Sequence, residues 1–197
     1  MDKLWTPLFR RIDELLRIKK QIIVAVDGNS AAGKSSLAAL LKSVYSCNTF
    51  SMDDFFLQPF QRTPQRLNEP GGNIDYERFT DEIIKPLRSG QPFSYRPYSC
   101  KTGKLSEPIA VNPNRLNVIE GVYCLHPCFS EIYDLKVFLS LDSDEQLIRL
   151  SKRDSELYNR FVREWIPTEN KYFEFYQISA KCDLIFRMGS YSVISDQ

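Results

Sequence analysis

Hydrophobic residues recur along the chain with two different periods. In "TPLFRRIDELLRI" Leu8, Ile12, Leu15 and Leu16 fall three and four residues apart with charges between them. That spacing predicts an amphipathic helix packed on the domain, with Thr6-Pro7 as its cap and first turn; a membrane-surface helix is the alternative. "QIIVAVD" is instead an unbroken β-branched run, the pattern of a strand buried on both faces. "KSSLAALLKSVY" returns to helical spacing, and "NTFSM" reads as a short strand ending at Asp53-Asp54. Three prolines and a Gly pair in "FLQPFQRTPQRLNEPGGN" predict a long loop, of the kind that often carries function.

Farther on, "YERFTDEIIKPLRSG" is helical until Pro86, where the pattern predicts an interruption. "FSYRPYSCKTGKLSEPIAV" alternates aromatic and polar residues about a Lys-Thr-Gly turn, which predicts a projecting hairpin. "NRLNVIEGVY" and "YDLKVFLSLD" are two more buried strands, "SDEQLIRLSKRDSELYNRFVREW" is a charged helical region, and "CDLIF" is a last strand. Strands alternating with helices imply an α/β fold with an open parallel sheet. With 197 residues and no repeat or linker, one domain is expected.

Composition narrows the choices only a little. Lys plus Arg number 26 and Asp plus Glu 25, so no overall basic excess argues for nucleic acid. No apolar run approaches a membrane span, and the charge-broken first twenty residues do not read as a secretory signal. Five scattered cysteines fit free thiols in a reducing cytoplasm. Oligomeric state is left open, with a homo-oligomer admitted.

Local chemistry is more informative. Gly28-Asn29-Ser30-Ala31-Ala32-Gly33-Lys34-Ser35 fits the Walker A pattern G-x-x-x-x-G-K-[ST], with Ser36 next, and it lies between a predicted strand and a predicted helix. Glycines let the backbone N–H groups turn towards an anion, and the new helix adds the partial positive charge of its N-terminus. In such a loop Lys34 reaches the β- and γ-phosphates and the Ser35 hydroxyl ligates Mg²⁺. The guanine-reading Asn-Lys-x-Asp is missing, since Asn170-Lys171 runs on into Tyr172-Phe173. A Leu-Ser-Gly-Gly-Gln transporter signature is missing too, and the strand that would carry Asp-Glu ends "NVIEG". A small-molecule kinase, or a nucleotide-binding module without turnover, remains.

"SMDDFF" bears on that choice. It follows the second strand, so its carboxylates emerge at the carboxyl edge of the sheet, where α/β folds bind ligands. A carboxylate there accepts the proton of an attacking hydroxyl, holds Mg²⁺, or does both; a helix cap is the structural alternative.

Together the stretches "VAVDGNSAAGKSS", "SMDDFF", "NIDYERF", "RPYSCKTG", "NVIEGVYCL" and "LIRLSKRD" resemble the uridine kinase and phosphoribulokinase family of P-loop kinases, in family order over roughly residues 20 to 188. The resemblance implies a P-loop NTPase fold with a five-stranded parallel core, an inserted substrate hairpin (about 92–112) and a helical lid (about 149–165). It implies ATP and Mg²⁺ as cofactors and a small-molecule phosphate acceptor. Asp53 matches the catalytic base; Ser35, Asp53 and Glu120 match the positions around Mg²⁺. Asp75 matches an acid that contacts sugar hydroxyls, and Arg153 and Arg160 match lid arginines, with Arg163 an alternative to Arg160.

The acceptor is less legible. Family nucleoside kinases read a pyrimidine partly with a hairpin Tyr and His; here the hairpin offers Arg96, Tyr98 and Lys101, with Ser99 where the family has Asp. Arg96 and Lys101 would suit an anionic acceptor, or are plain surface charges. Uridine or cytidine is the first expectation, and pantothenate-like molecules, nicotinamide riboside or sugar phosphates are the alternatives. His126 lies beyond the Glu120 strand, and "CLHPC" lacks the second ligand pair that a zinc site needs.

Overall fold

The computed structural model describes residues 3–153 and 156–189. Helix α1 (Thr6–Ile18) buries Leu8, Ile12 and Leu15 of the predicted stripe against the sheet, with Phe9 added and Leu16 only half-buried. Strand β1 (Ile22–Gly28) is buried at every position, and α2 (Lys34–Tyr45) follows the loop after it. The edge strand β2 (Asn48–Ser51) ends just before a short 3₁₀ turn, Met52–Phe55.

The proline-rich stretch contains a 3₁₀ turn, Pro59–Gln61, and a short helix, α3 (Pro64–Asn68), and its ends are pinned together. Phe56 bridges Ile74, and Leu57 N–H donates to Asn73 O at 3.0 Å. Then α4 (Tyr76–Phe79) runs through a π turn, Thr80–Ile84, into α5 (Lys85–Ser89). Pro86 therefore does not end the helix as its sequence context predicts. The π turn shifts Lys85 N–H to Thr80 O, five residues back, just where the proline would break the regular ladder. A second π turn, Phe161–Trp165, precedes Pro167 in the same way.

The hairpin is double. Strands β3 (Phe93–Tyr95) and β6 (Ile109–Val111) form its base, and β4 (Tyr98–Ser99) and β5 (Lys104–Leu105) its tip, closed by Gly103 N–H to Ser99 O at 2.7 Å. The remaining elements are β7 (Leu116–Glu120), β8 (Leu135–Leu141), α6 (Ser143–Arg153), α7 (Tyr158–Arg160), α8 (Ile166–Tyr176) and β9 (Leu184–Met188). The lid region expected at about 149–165 is helical on both sides of residues 154–155, which lie outside the described residues.

Strands β2-β7-β1-β8-β9 make one five-stranded sheet, every pair parallel. Alternate residues of β1 face opposite cores: Ile22, Val24 and Val26 meet α1 and α2, while Ile23 and Ala25 meet the layer that includes Phe79, Phe129 and Tyr172. The hairpin base joins this second core through Phe50, whose ring lies 6.2 Å from Phe93 and 5.8 Å from Tyr95. Among the described residues no helix is long and apolar enough to cross a membrane.

Phe50 is fully buried where the edge strand and hairpin meet, so Phe50→Ala should cost about 3–5 kcal/mol in urea unfolding. A loss below about 1 kcal/mol, typical of exposed positions, would show that the hairpin is not part of this core.

Candidate active site

Parallel pairing sets three chain segments side by side at the carboxyl edge. Glu120 is in register with Val26 on one side and Ser51 on the other. The β1–α2 loop, the Met52–Phe55 turn and the end of β7 therefore converge. Two glycines allow this approach. Gly28 has φ +140°, and a Cβ there would lie 2.1 Å from Leu139 O; at Gly121, φ +130°, it would lie 2.8 Å from Met52 Cβ. Any side chain at either place would push the loop or the turn away.

The loop itself is cradled on all sides. Gly33 is left-handed (φ +98°) and leads directly into α2. Lys34 is buried and turns its ammonium to Gly28 O (2.8 Å) and Asn29 O (2.9 Å) rather than to Glu120. Ser35 Oγ lies 3.2 Å from both carboxylate oxygens of Glu120. Burial pushes the Glu120 carboxyl above its ordinary range, while the Ser51 and Ser35 hydroxyls and the charge of Lys34 pull it back. A hydroxyl and a carboxylate so close are an oxygen donor set suited to Mg²⁺, and the loop amides above the α2 N-terminus suit phosphate.

Asp53 is exposed at the turn, its N–H weakly held by Ser51 Oγ at 3.4 Å. Its neighbour Asp54 is half-buried, raised in pKa chiefly by that burial, and faces Tyr95 O–H at 3.4 Å. Burial pushes the Cys100 thiol, at the hairpin tip, above its ordinary range, while the charges of Arg62 and Arg160 pull it back and that of Asp53 adds to the rise.

Other expected residues have structural partners. Asp75 is 2% exposed and caps α4: its carboxylate accepts from Arg78 N–H at 3.0 Å and from Gln61 Nε2 at 2.8 Å. Rather than a free acid facing a sugar, it is a filled cap. Arg96 spends its guanidinium on Ser106 O (2.8 Å) and Leu105 O (3.3 Å), bracing the hairpin from within. Tyr98 is buried in β4, which packs on the Met52–Phe55 turn. In the lid, Arg160 pairs with Glu164 at 3.1 Å and lies over Trp165, and Arg153 is exposed at the end of α6. The structure brings together Gly28–Ser36, Glu120 and Asp53; it does not bring Arg153 or Arg160 onto the loop. His126 is structural: it stacks on Tyr76 at 4.3 Å, its Nδ1 accepts from Cys128 N–H, and its Nε2 lies 3.2 Å from Tyr176 O–H. Burial and the charge of Arg66 lower its pKa to about 4, and no metal-binding cluster occurs among the described residues.

Three residues went unnoticed in the sequence. Arg78 joins the turn to the hairpin, donating to Asp54 O (2.6 Å) and Arg96 O (2.7 Å) with its guanidinium over Phe55. Glu169 accepts from Ser30 N–H at 3.1 Å and meets its hydroxyl. Asp27, fully buried at the end of β1, accepts from Gly28 N–H (2.7 Å), Leu125 N–H (3.1 Å) and Tyr172 O–H (2.8 Å). Only Asp27 left a trace, a lone charge closing an apolar run.

A model of the phosphoribulokinase / uridine kinase family matches residues 23–160. The chain is 26% identical over 181 residues to uridine kinase-like protein 5 of Arabidopsis thaliana, covering 79% of this chain and 38% of that protein. It is 28% identical over 149 residues to phosphoribulokinase of Synechocystis sp., covering 70% of this chain and 43% of that one. It thus spans less than half the length of either relative. A solved structure of a "possible uridine kinase" from Bacillus stearothermophilus shares the fold, with a TM-score of 0.65 at 21% identity, over 92% of this chain and 100% of that one.

Burial lifts the Asp27 pKa from 3.8 to about 6 in the folded protein. Its contribution to stability is therefore full below about pH 4 and is lost as pH rises through about 6, by up to about 3 kcal/mol. Asp27→Asn should flatten that part of the pH–stability profile in denaturant melts; an unchanged slope would place the titration elsewhere.

Proposed function

We propose, for a chain that belongs to the phosphoribulokinase / uridine kinase family, that it transfers the γ-phosphoryl group of ATP to a hydroxyl of a small metabolite with the help of Mg²⁺. The observation that carries this reading is the meeting of loop, Glu120 and Asp53 at one sheet edge, with Ser35 Oγ 3.2 Å from Glu120. The nucleotide and its metal supply the transferable group and neutralise its charge.

Residues of the chain then have distinct tasks. Amides of the inner half of the loop and the α2 N-terminus, with the ammonium of Lys34, bind the phosphates; Ser35 and Glu120 would hold the metal, with Asp53 beside them. Asp53, exposed and at the mouth, accepts the proton of the attacking hydroxyl. Arg153 and Arg160 act from the lid, which requires Arg160 to leave Glu164 as the lid closes. Positioning and charge neutralisation are most of what phosphoryl transfer asks of a protein.

For the acceptor we propose a pyrimidine nucleoside, uridine or cytidine. One observation favours a neutral acceptor over an anionic one: the Arg96 guanidinium is already bound to hairpin carbonyls. In this reading Tyr98 and the Arg78-braced hairpin wall the site, and Asp75 reaches a sugar hydroxyl only if Gln61 yields. A nucleotide-binding module without turnover is disfavoured because binding alone needs no base at Asp53.

ADP release from Mg·ATP should rise with uridine or cytidine above pantothenate, nicotinamide riboside and sugar phosphates. Asp53→Asn should lower kcat by about 10²–10⁴ while ATP still binds. A flat response across the panel by protein that binds ATP would favour the non-catalytic module, and turnover with a sugar phosphate alone would overturn the nucleoside assignment.

A further inference from the structure

We infer that Glu169 is a positioning residue for the phosphate loop, fixing the loop from outside so that its amides are aligned before nucleotide arrives. The inference rests on the kinase reading for its consequence but on geometry for its substance. Glu169 lies beyond the residues matched by the family model, which end at 160. It is 4% exposed, on a helix, and bonded to a residue 139 positions away.

Ser30 is the point of attachment. Its N–H donates to Glu169 Oε2 at 3.1 Å, its hydroxyl meets Oε1, and its carbonyl accepts from Gln146 Nε2 at 3.1 Å. Every polar group of Ser30 is thus engaged by α6 or α8, so Ser30 serves as an anchor rather than as a phosphate ligand. On either side of it, Asn29 Oδ1 accepts from Leu141 N–H at 3.0 Å and Ala31 O accepts from Arg149 at 3.4 Å. The outer half of the loop is tied down, and the inner half, Ala32–Ser35, carries the helix N-terminus.

Glu169 is also one of a row. Tyr172 and Tyr176 follow it on the same face of α8. Tyr172 O–H donates to Asp27, which holds Leu125 N–H, and Tyr176 O–H meets His126. A single helix therefore braces the loop and the segment just after Glu120, the two pieces that must stay in register for Ser35 to face Glu120. Loss of the first contact in that row frees the loop without touching the metal-side residues.

Charge and position predict opposite signs, which makes the inference testable. Removing a carboxylate near a phosphate site should strengthen anion binding if charge were its only effect. Removing an anchor should weaken it. For Glu169→Ala we expect Mg·ATP affinity, measured by calorimetry, to fall about ten- to a hundredfold, with KM for ATP rising and KM for the acceptor unchanged. Glu169→Gln, which can still accept from Ser30 N–H, should restore most of the affinity. Hydrogen exchange of the amides of residues 29–33 in nucleotide-free protein should speed up about tenfold in Glu169→Ala while the β1 and β8 amides stay protected.

If Glu169→Ala does not fold, Ser30→Ala removes the hydroxyl contact alone and should show the same loosening to a smaller degree. Affinity unchanged or tighter in the alanine variant, or loop exchange equal to wild type, would overturn the inference. Wild-type protein that fails to bind Mg·ATP would instead defeat the kinase reading, and the exchange comparison would still decide the role of Glu169.

Discussion

The phosphate loop leaves the sheet at a point where two backbones nearly touch. At Gly28 the chain turns through φ +140° so close to β8 that a Cβ would lie 2.1 Å from Leu139 O. No L-residue with a side chain fits that path, and the path aims the next residues over the N-terminus of α2. Around it the buried carboxylate of Asp27 gathers the Gly28 and Leu125 amides and the Tyr172 hydroxyl. Burying an acid is costly unless its oxygens are filled, and three donors fill these. The loop's shape thus depends on one close approach and one satisfied carboxylate.

The sheet turns that local shape into a site. Because every strand pair is parallel, the ends of β1, β2 and β7 share an edge, and register alone sets Ser51, Glu120 and Val26 abreast. Gly121 then admits the Met52 turn, which carries Asp53 to the mouth. The hairpin side is assembled differently, through side chains. Arg78 ties the turn to the hairpin, and Phe50 seats the hairpin on the edge strand.

Much of this was legible because the signals are local. An apolar run, a glycine-bounded loop and a helical stripe each sit within a dozen residues, and they predicted β1, the phosphate loop and α2 where the structure has them. The five-stranded parallel core and the hairpin followed from the same kind of pattern and from the family resemblance. What escaped is non-local. Glu169 meets Ser30 across 139 positions and Tyr172 meets Asp27 across 145, and nothing near either residue marks the contact. Pro86 misled because a π turn upstream absorbs it. Asp75 and Arg96 carry the charge expected of a substrate site, yet a helix cap and a hairpin brace use that charge first.

The central claim is that phosphoryl transfer, not nucleotide binding alone, takes place at this edge. Phosphorus NMR of the protein with Mg·ATP and uridine tests it most directly. The account predicts a phosphomonoester resonance growing in step with ADP, and its absence with Asp53→Asn. Formation of inorganic phosphate alone, or identical spectra from the wild type and Asp53→Asn, would contradict it.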